Sequence, residues 1–269
     1  MKRINMTLSL MLAISLLFGL LPITAQAGYG VVHAAGLSET AGGNGHGGGF
    51  GGMDSGAPPE NTEIEEEEVP LLEFVSYAEE LNKLGLFQGY GVDRNGTRIY
   101  ALENPLTRIQ ALILTIRLLG REDEALVFRG GNPFTDVSGW QAPYVAFALA
   151  YGLASGVTAD RFAPHRQVTV QEFTTFMLRA LGYSEAAGDF RFANALSFAV
   201  RAELLTYPLI TEFDHDIFLR GEAVIVMLFA LQTRMKGRNY SLIDTLVTDG
   251  VFSRIRADEF LAAIAIAKR

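Results

Sequence analysis

The chain has 269 residues, no cysteine, 49% apolar side chains and a formal charge of −8. Lacking cysteine, it has neither disulfides nor a thiolate zinc site, so its fold rests on an apolar core. The acidity speaks against nucleic acid as a partner, because phosphates demand basic patches.

The first residues combine Lys2 and Arg3 with an apolar run from Leu8 to Leu21, then Pro22 and Ala25-Gln26-Ala27. A membrane-spanning helix needs about 20 apolar residues. This run is shorter and ends in small residues, so residues 1–27 read as a secretory signal peptide cleaved after Ala27. Ala34-Ala35 offers a second, poorer site, and no membrane span remains after cleavage. No cysteine stands there to carry a lipid. Residues 28–69 are glycine-rich from Ala41 to Gly56, continue through Pro58-Pro59 and end in glutamates at 60, 63 and 65–68. So few large apolar groups cannot offset the entropy of ordering, so the segment reads as a disordered spacer. A solvated tether explains it better than a recognition tail or a metal sponge does.

From Leu71 onward the apolar spacing becomes helical. Leu71, Phe74, Val75, Ala78, Leu81 and Leu84 recur at steps of three and four, and Gly85 stops the run. A second helix is expected from Leu106 to Leu119, with Ile109, Ile113 and Ile116 on one face and Gly120 at its end. Further helices are expected near 140–151, 170–181, 189–203, 219–235 and 255–267. Between Gly89 and Asn104 there is room for a short strand pair at most. Asp93-Arg94-Asn95-Gly96 reads as its turn, since the glycine comes too early for a calcium loop and no glutamate closes one. The fold class is all-α.

The helical part repeats itself. Leu84-Gly85-Leu86-Phe87-Gln88-Gly89 is echoed by Tyr151-Gly152-Leu153-Ala154-Ser155-Gly156 and, eroded, by Arg201-Ala202-Glu203-Leu204-Leu205-Thr206. Gly152 to Thr169 and Ala202 to Leu219 are equally spaced, which aligns Ala202 with Gly152. Each copy is followed by a four-residue motif at a helix start: Thr107-Arg108-Ile109-Gln110, Thr169-Val170-Gln171-Glu172 and Leu219-Arg220-Gly221-Glu222. Thr at the cap and Gln or Glu three residues on form a capping box, worth about 1 kcal/mol, which explains them without a ligand.

The arginines are not explained that way. At the first helical position a cation meets the positive end of the helix dipole. Free N–H groups beside a guanidinium fork suit a carboxylate or phosphate. The alternative is a surface salt bridge with Glu103 or Asp216, of little worth in water. Asp136 and Trp140 form a second cluster: core packing of Phe134 and Trp140 with Asp136 as a helix cap, or an aromatic wall and an acceptor beside a sugar ring. His33, His46, His165, His215 and Asp214-His215-Asp216 lack partners at metal-ligand spacing. No strained serine turn and no evident carboxylate pair for glycoside hydrolysis occurs, so neither enzyme chemistry, metal nor cofactor is expected.

The stretch from Pro133 to Tyr183 resembles one full S-layer homology repeat. The residues that carry the likeness are Pro133-Phe134-Thr135-Asp136, Trp140, Gly152, Gly156, Phe162-Ala163-Pro164 and Thr169-Val170-Gln171-Glu172. The resemblance implies three tandem helix-loop-helix repeats, at 70–120, 121–183 and 184–269, in a pseudo-threefold spindle around a central helix bundle. It further implies a secreted, non-enzymatic anchor whose inter-repeat grooves bind secondary cell-wall polysaccharide through a pyruvylated amino sugar. Carried over residue by residue, Arg108 and Arg220 would meet the ketal carboxylate. Thr107, Gln110 and Glu222 would order the helix starts, and Asp136 and Trp140 match the Asp and Trp of the repeat opening. Val170 in place of arginine, Gln110 in place of glutamate and Leu219 in place of threonine depart from the family motif. The third copy opens on Gly188-Asp189-Phe190-Arg191 with no tryptophan. At most two competent grooves are expected. The alternative is a degenerate repeat scaffold that binds another surface protein.

Overall fold

Helix α1 (Leu71–Lys83) shows how local sequence sets each boundary. Phe74, Tyr77, Ala78 and Leu81 share one face and are buried. The helix closes where Gly85 takes a φ of 82°, letting the Leu86 N–H reach the Leu81 carbonyl and the Gly85 N–H that of Asn82. Glycine adopts this left-handed cap without steric cost. The computed structural model describes residues 71–213 and 217–266. The expected signal peptide at 1–27, the spacer at 28–69 and Asp214-His215-Asp216 lie outside the described residues.

Strands β1 (Gly91–Val92) and β2 (Arg98–Ile99) form an antiparallel pair in the segment that left room for one. Their turn is built on Asp93, whose Oδ1 accepts the N–H groups of Asn95 and Thr97 at 2.8 and 2.9 Å. Then come α2 (Arg108–Leu118), α3 (Glu122–Val127), α4 (Gln141–Ala150) and α5 (Val170–Ala180). After a 3-10 turn at Phe192–Asn194 follow α6 (Ala195–Arg201), α7 (Tyr207–Glu212), α8 (Arg220–Gln232), α9 (Leu242–Thr248) and α10 (Arg254–Ile266). The expected helix at 189–203 starts late, because Asn194 Oδ1 accepts the Arg191 N–H at 2.8 Å and holds the chain in a tighter turn first. Helices α3, α7 and α9 were not foreseen; six or seven residues are too few for a 3.6-residue period to declare itself.

Helices α2, α5 and α8 touch one another, with α4 packed on α2, α6 on α5 and α1 on α8. Helix α8 is buried from Arg220 through Leu231, which explains its near-continuous apolar sequence. Phe147, Phe162, Phe173, Phe176, Phe218 and Phe229 are fully buried in one continuous core. Each such ring contributes about 1.5–3 kcal/mol. Helix α9 packs on α8, and α10 on α1.

The segments that lead into the three central helices also meet. The Leu106 N–H donates to the Phe218 carbonyl and the Val168 N–H to the Leu106 carbonyl, both at 2.9 Å. The Gly85 cap recurs at Gly152, with a φ of 68°, Leu153 N–H on Ala148 and Gly152 N–H on Leu149. In the third copy the same two bonds run from Leu204 and Glu203 to Ala199 and Val200, and Glu203 has a φ of 60°. Glu203, not Ala202, therefore stands in the glycine position, and the third copy is one residue shorter than its spacing implied.

Candidate functional site

The starts of α2 and α8 are held by neighbouring loops rather than left open. At α2 the N–H groups of Arg108 and Ile109 donate to the carbonyls of Arg166 and Pro164 at 2.8 and 3.0 Å. At α8 those of Arg220 and Gly221 donate to Asn104 and Leu102 at 3.0 and 2.8 Å. The free N–H groups expected at these two helix mouths are thus absent, because buried donors take acceptors wherever the packing supplies them. Glu222 and Gln110 reach back as expected: their side-chain oxygens accept the N–H of Leu219 at 2.6 Å and of Thr107 at 3.0 Å. The reciprocal bond forms only at Thr169, whose hydroxyl accepts the Glu172 N–H at 3.3 Å. Leu219 has no oxygen to offer, and Thr107 lends its hydroxyl to no cap bond.

Arg108 and Arg220 are both buried, at 5% and 4% exposure, which rules out a surface salt bridge as the account of either. Arg108 leaves α2 and crosses to the second copy. Its Nη2 donates to the Ser155 carbonyl at 2.8 Å and its Nη1 to Glu172 Oε1 at 3.1 Å. Glu172, not Glu103, is its partner, and Arg166 holds the same carboxylate from the other side at 2.5 and 3.0 Å. The guanidinium lies against Phe162 and Phe176, 4.9 and 5.1 Å from the ring centres, and its Nε has no acceptor. Burial pulls the Arg108 pKa down to about 10 against the opposing charge of Glu172. Burial also works against ionised Glu172, but Arg166, the Thr169 N–H and Arg108 together hold its pKa below the ordinary value.

Arg220 crosses in the same way from α8 to the first copy. Its Nη2 donates to the Gln88 carbonyl at 3.2 Å and its Nε to Tyr100 at 3.1 Å. Gln88 and Ser155 hold equal places, three residues beyond the left-handed glycine. The Arg220 guanidinium lies over Phe87 and Tyr90, at 5.0 and 4.7 Å. Here the likeness stops. Among the described residues no carboxylate pairs with Arg220, and the position of Glu172 is taken by Gln110, whose amide donates to the Tyr90 hydroxyl at 2.7 Å. Asp216, once considered as its partner, lies outside the described residues. Burial lowers the Arg220 pKa from its usual value. Tyr90 itself is 56% exposed, so one side of this assembly faces solvent.

Asp136 and Trp140 behave differently from their default readings. The Asp136 carboxylate accepts the N–H groups of Phe162 and Ala163, each at 2.9 Å, and so pins the loop before α5 rather than capping α4. Burial opposes its ionisation, yet those N–H groups and Arg161 keep its pKa low. Phe134 packs on Phe162 in the core, but Trp140 is 62% exposed and makes an edge-on contact with Tyr144. Core packing does not account for Trp140. His165 meets the Gln141 amide at 3.3 Å. Among the described residues no group of three or more acidic or histidine side chains is placed to hold a metal, and no helix is long and apolar enough to cross a membrane.

The residues that complete both clefts, Glu172 for Arg108 and Gln88, Tyr90 and Tyr100 for Arg220, were not singled out as site residues in the sequence. The signal was there for Gln88 and Ser155, because both occupy one place in the repeated six-residue stretch.

Residues 133–174 match the family model described as the S-layer homology domain. That segment of the chain is similar to an S-layer homology domain. The match takes in Asp136, Trp140, Gly152, Gly156 and the Thr169–Glu172 motif, and leaves Arg108 and Arg220 outside it. The chain is similar to the middle cell wall protein of Brevibacillus brevis, 36% identical over 105 residues, 38% of this chain and 10% of that protein. It is also similar to the surface layer protein of Brevibacillus choshinensis, 34% identical over 105 residues, 38% of this chain and 9% of that protein. A cell surface protein of Thermoanaerobacter kivui is 30% identical over 115 residues, 42% of this chain and 14% of that protein. The chain thus spans about a tenth of the length of the curated relatives it matches. The relatives so named are proteins of the cell wall or the cell surface.

Proposed function

We propose that this protein is a non-enzymatic anchor that holds secondary cell-wall polysaccharide non-covalently, through the carboxylate of an acidic sugar substituent such as a pyruvyl ketal on an amino sugar. The observation that carries the reading is Arg220: a buried guanidinium, fixed by the Gln88 and Tyr100 carbonyls, with no carboxylate partner among the described residues and an exposed Tyr90 beside it. A buried cation without a counter-ion is costly, and a ligand carboxylate relieves that cost. The tyrosine ring offers a face to a sugar's C–H groups, and Gln110 stands behind its hydroxyl.

The same reading takes the molecule as three repeats around α2, α5 and α8, each arginine reaching from one repeat into the next. The middle repeat has Val170 in the place of that arginine. Arg108 is a weaker ligand group than Arg220 because Glu172 already neutralises it. The second reading, a scaffold for another surface protein, draws on that internally closed Arg108 cleft.

Co-sedimentation of the protein with isolated wall sacculi tests the anchor. Binding to native sacculi, lost after chemical removal of pyruvate and in Arg220→Ala, is the expected result. Equal retention of Arg220→Ala on native sacculi would sink the arginine mechanism. Capture of a single secreted protein with no affinity for sacculi would favour the scaffold.

A further inference from the structure

The third copy is called eroded because glycines of the first two are missing from it, yet their replacements stand around a cavity. A pocket of about 540 Å3 opens beside the ends of α6 and α8 and is lined by Glu203, Leu205, Thr206, Tyr207, Gln232 and Arg234, among others. Ligand pockets run from roughly 300 to 1,000 Å3. Every residue of its wall lies within 200–234, and neither Arg108 nor Arg220 contributes to it.

Two substitutions build this wall. Gly85 and Gly152 cap their helices in the left-handed conformation, and Glu203 does the same at a φ of 60°, which is strained for a residue with a Cβ. Its carboxylate is directed to Arg234, 3.2 Å away, and both side chains are largely exposed. Four residues past the capping glycine the first two copies have Gly89 and Gly156. An added Cβ there would come within 2.5 Å of the Ile99 carbonyl oxygen and 2.3 Å of that of Thr158. The third copy does not fold back at this point but turns into α7, so the position accepts Tyr207, which is 63% exposed. An acid in a glycine's conformation and an aromatic in a glycine's place both line the same cavity.

We propose that this pocket is a second binding site, for an uncharged saccharide unit. The Glu203–Arg234 pair leaves the wall without net charge, so neither an anion nor a cation is selected. It offers instead a strong acceptor and a forked donor side by side, which suits the vicinal hydroxyls of a pyranose. The Gln232 amide nitrogen is committed to the Leu228 carbonyl at 2.9 Å, which turns its oxygen to accepting. Tyr207 supplies the flat face on which a sugar ring stacks. The site differs in chemistry from the Arg220 cleft, and it does not depend on that cleft binding an acid.

The test is calorimetric titration of the whole secreted protein with N-acetylglucosamine and with its β-1,4-linked dimer, together with 15N NMR shift mapping. Saturable binding is expected, with shifts confined to 200–208 and 232–234. Tyr207→Ala and Glu203→Gly should each weaken it at least about tenfold. Glu203→Gly, relieved of its strained backbone, should unfold at or above the parent's temperature, which a merely structural glutamate would not allow. Absence of saturable binding by both sugars, unchanged affinity in both variants, or shifts centred on Tyr90 and Gln110 would each overturn the proposal.

Discussion

The clefts of Arg108 and Arg220 are built on one plan and differ in what meets the guanidinium. Each arginine leaves the first turn of a central helix, binds a carbonyl three residues beyond a left-handed glycine and lies between two aromatic rings. At the first cleft the third residue of the neighbouring helix is Glu172; at the second it is Gln110. A carboxylate there meets the guanidinium from within the protein, whereas an amide leaves the charge to be met from outside. On the proposed reading, one side chain decides whether a buried arginine stabilises the fold or awaits a ligand.

The largest expected contrast is between the two arginine variants. Arg220→Ala should abolish most sacculus binding while the protein stays folded, and Arg108→Ala should mainly destabilise. Removing Arg108 leaves Glu172 partly buried with Arg166 alone, at a cost of about 3 kcal/mol, read as a lower urea midpoint. Comparable wall binding by both variants would erase the distinction.

Exchange of the deciding residue should then transfer the behaviour. Gln110→Glu places a carboxylate beside the Tyr90 hydroxyl and Arg220, so affinity for an acidic glycan should fall about tenfold, worth about 1.4 kcal/mol. The unfolding temperature should rise in the same variant. Tight binding retained by Gln110→Glu would mean that the amide is not what keeps the Arg220 cleft open.

Acid should affect the first cleft before the second. The Glu172 pKa is lower in the folded protein than in the unfolded chain, so its contribution is present above the unfolded value and is lost as pH falls through the folded one. Glu122, held below its ordinary value by Arg117 and Tyr144 despite the burial that opposes this, shares that sign. Stability measured by urea unfolding should therefore drop as pH falls below the ordinary glutamate range, and Glu172→Gln should flatten part of the drop. An identical pH profile in Glu172→Gln would remove this ion pair from the account. The smallest effect concerns Ala101 and Ala163, at equivalent places with φ values of 50° and 59°. Glycine at either should stabilise by no more than about 1 kcal/mol, because relief of strain is offset by a more flexible unfolded chain.

Much of the fold was legible in the residues. Leu71 to Leu84, Leu106 to Leu119 and the apolar run of α8 declare helices because one face of each must be buried, and Gly85 and Gly120 mark the stops. The short helices escaped, since α3, α7 and α9 are held by packing and caps rather than by their own period. The Asp93 turn was readable because its carboxylate bonds locally. The register of the third copy was not: spacing points to Ala202, and only the backbone hydrogen bonds show Glu203 in the glycine position.

For the site, the sequence by itself determined that arginine recurs at the first position of two helices where helix electrostatics gives it no reason to be. Tertiary structure alone decided what each one meets, because Glu172 lies 64 residues from Arg108 and Gln88 lies 132 from Arg220. Those distances along the chain close only when the helices pack. The burial that then strips water from a guanidinium depends on the whole core, which no local pattern of residues encodes.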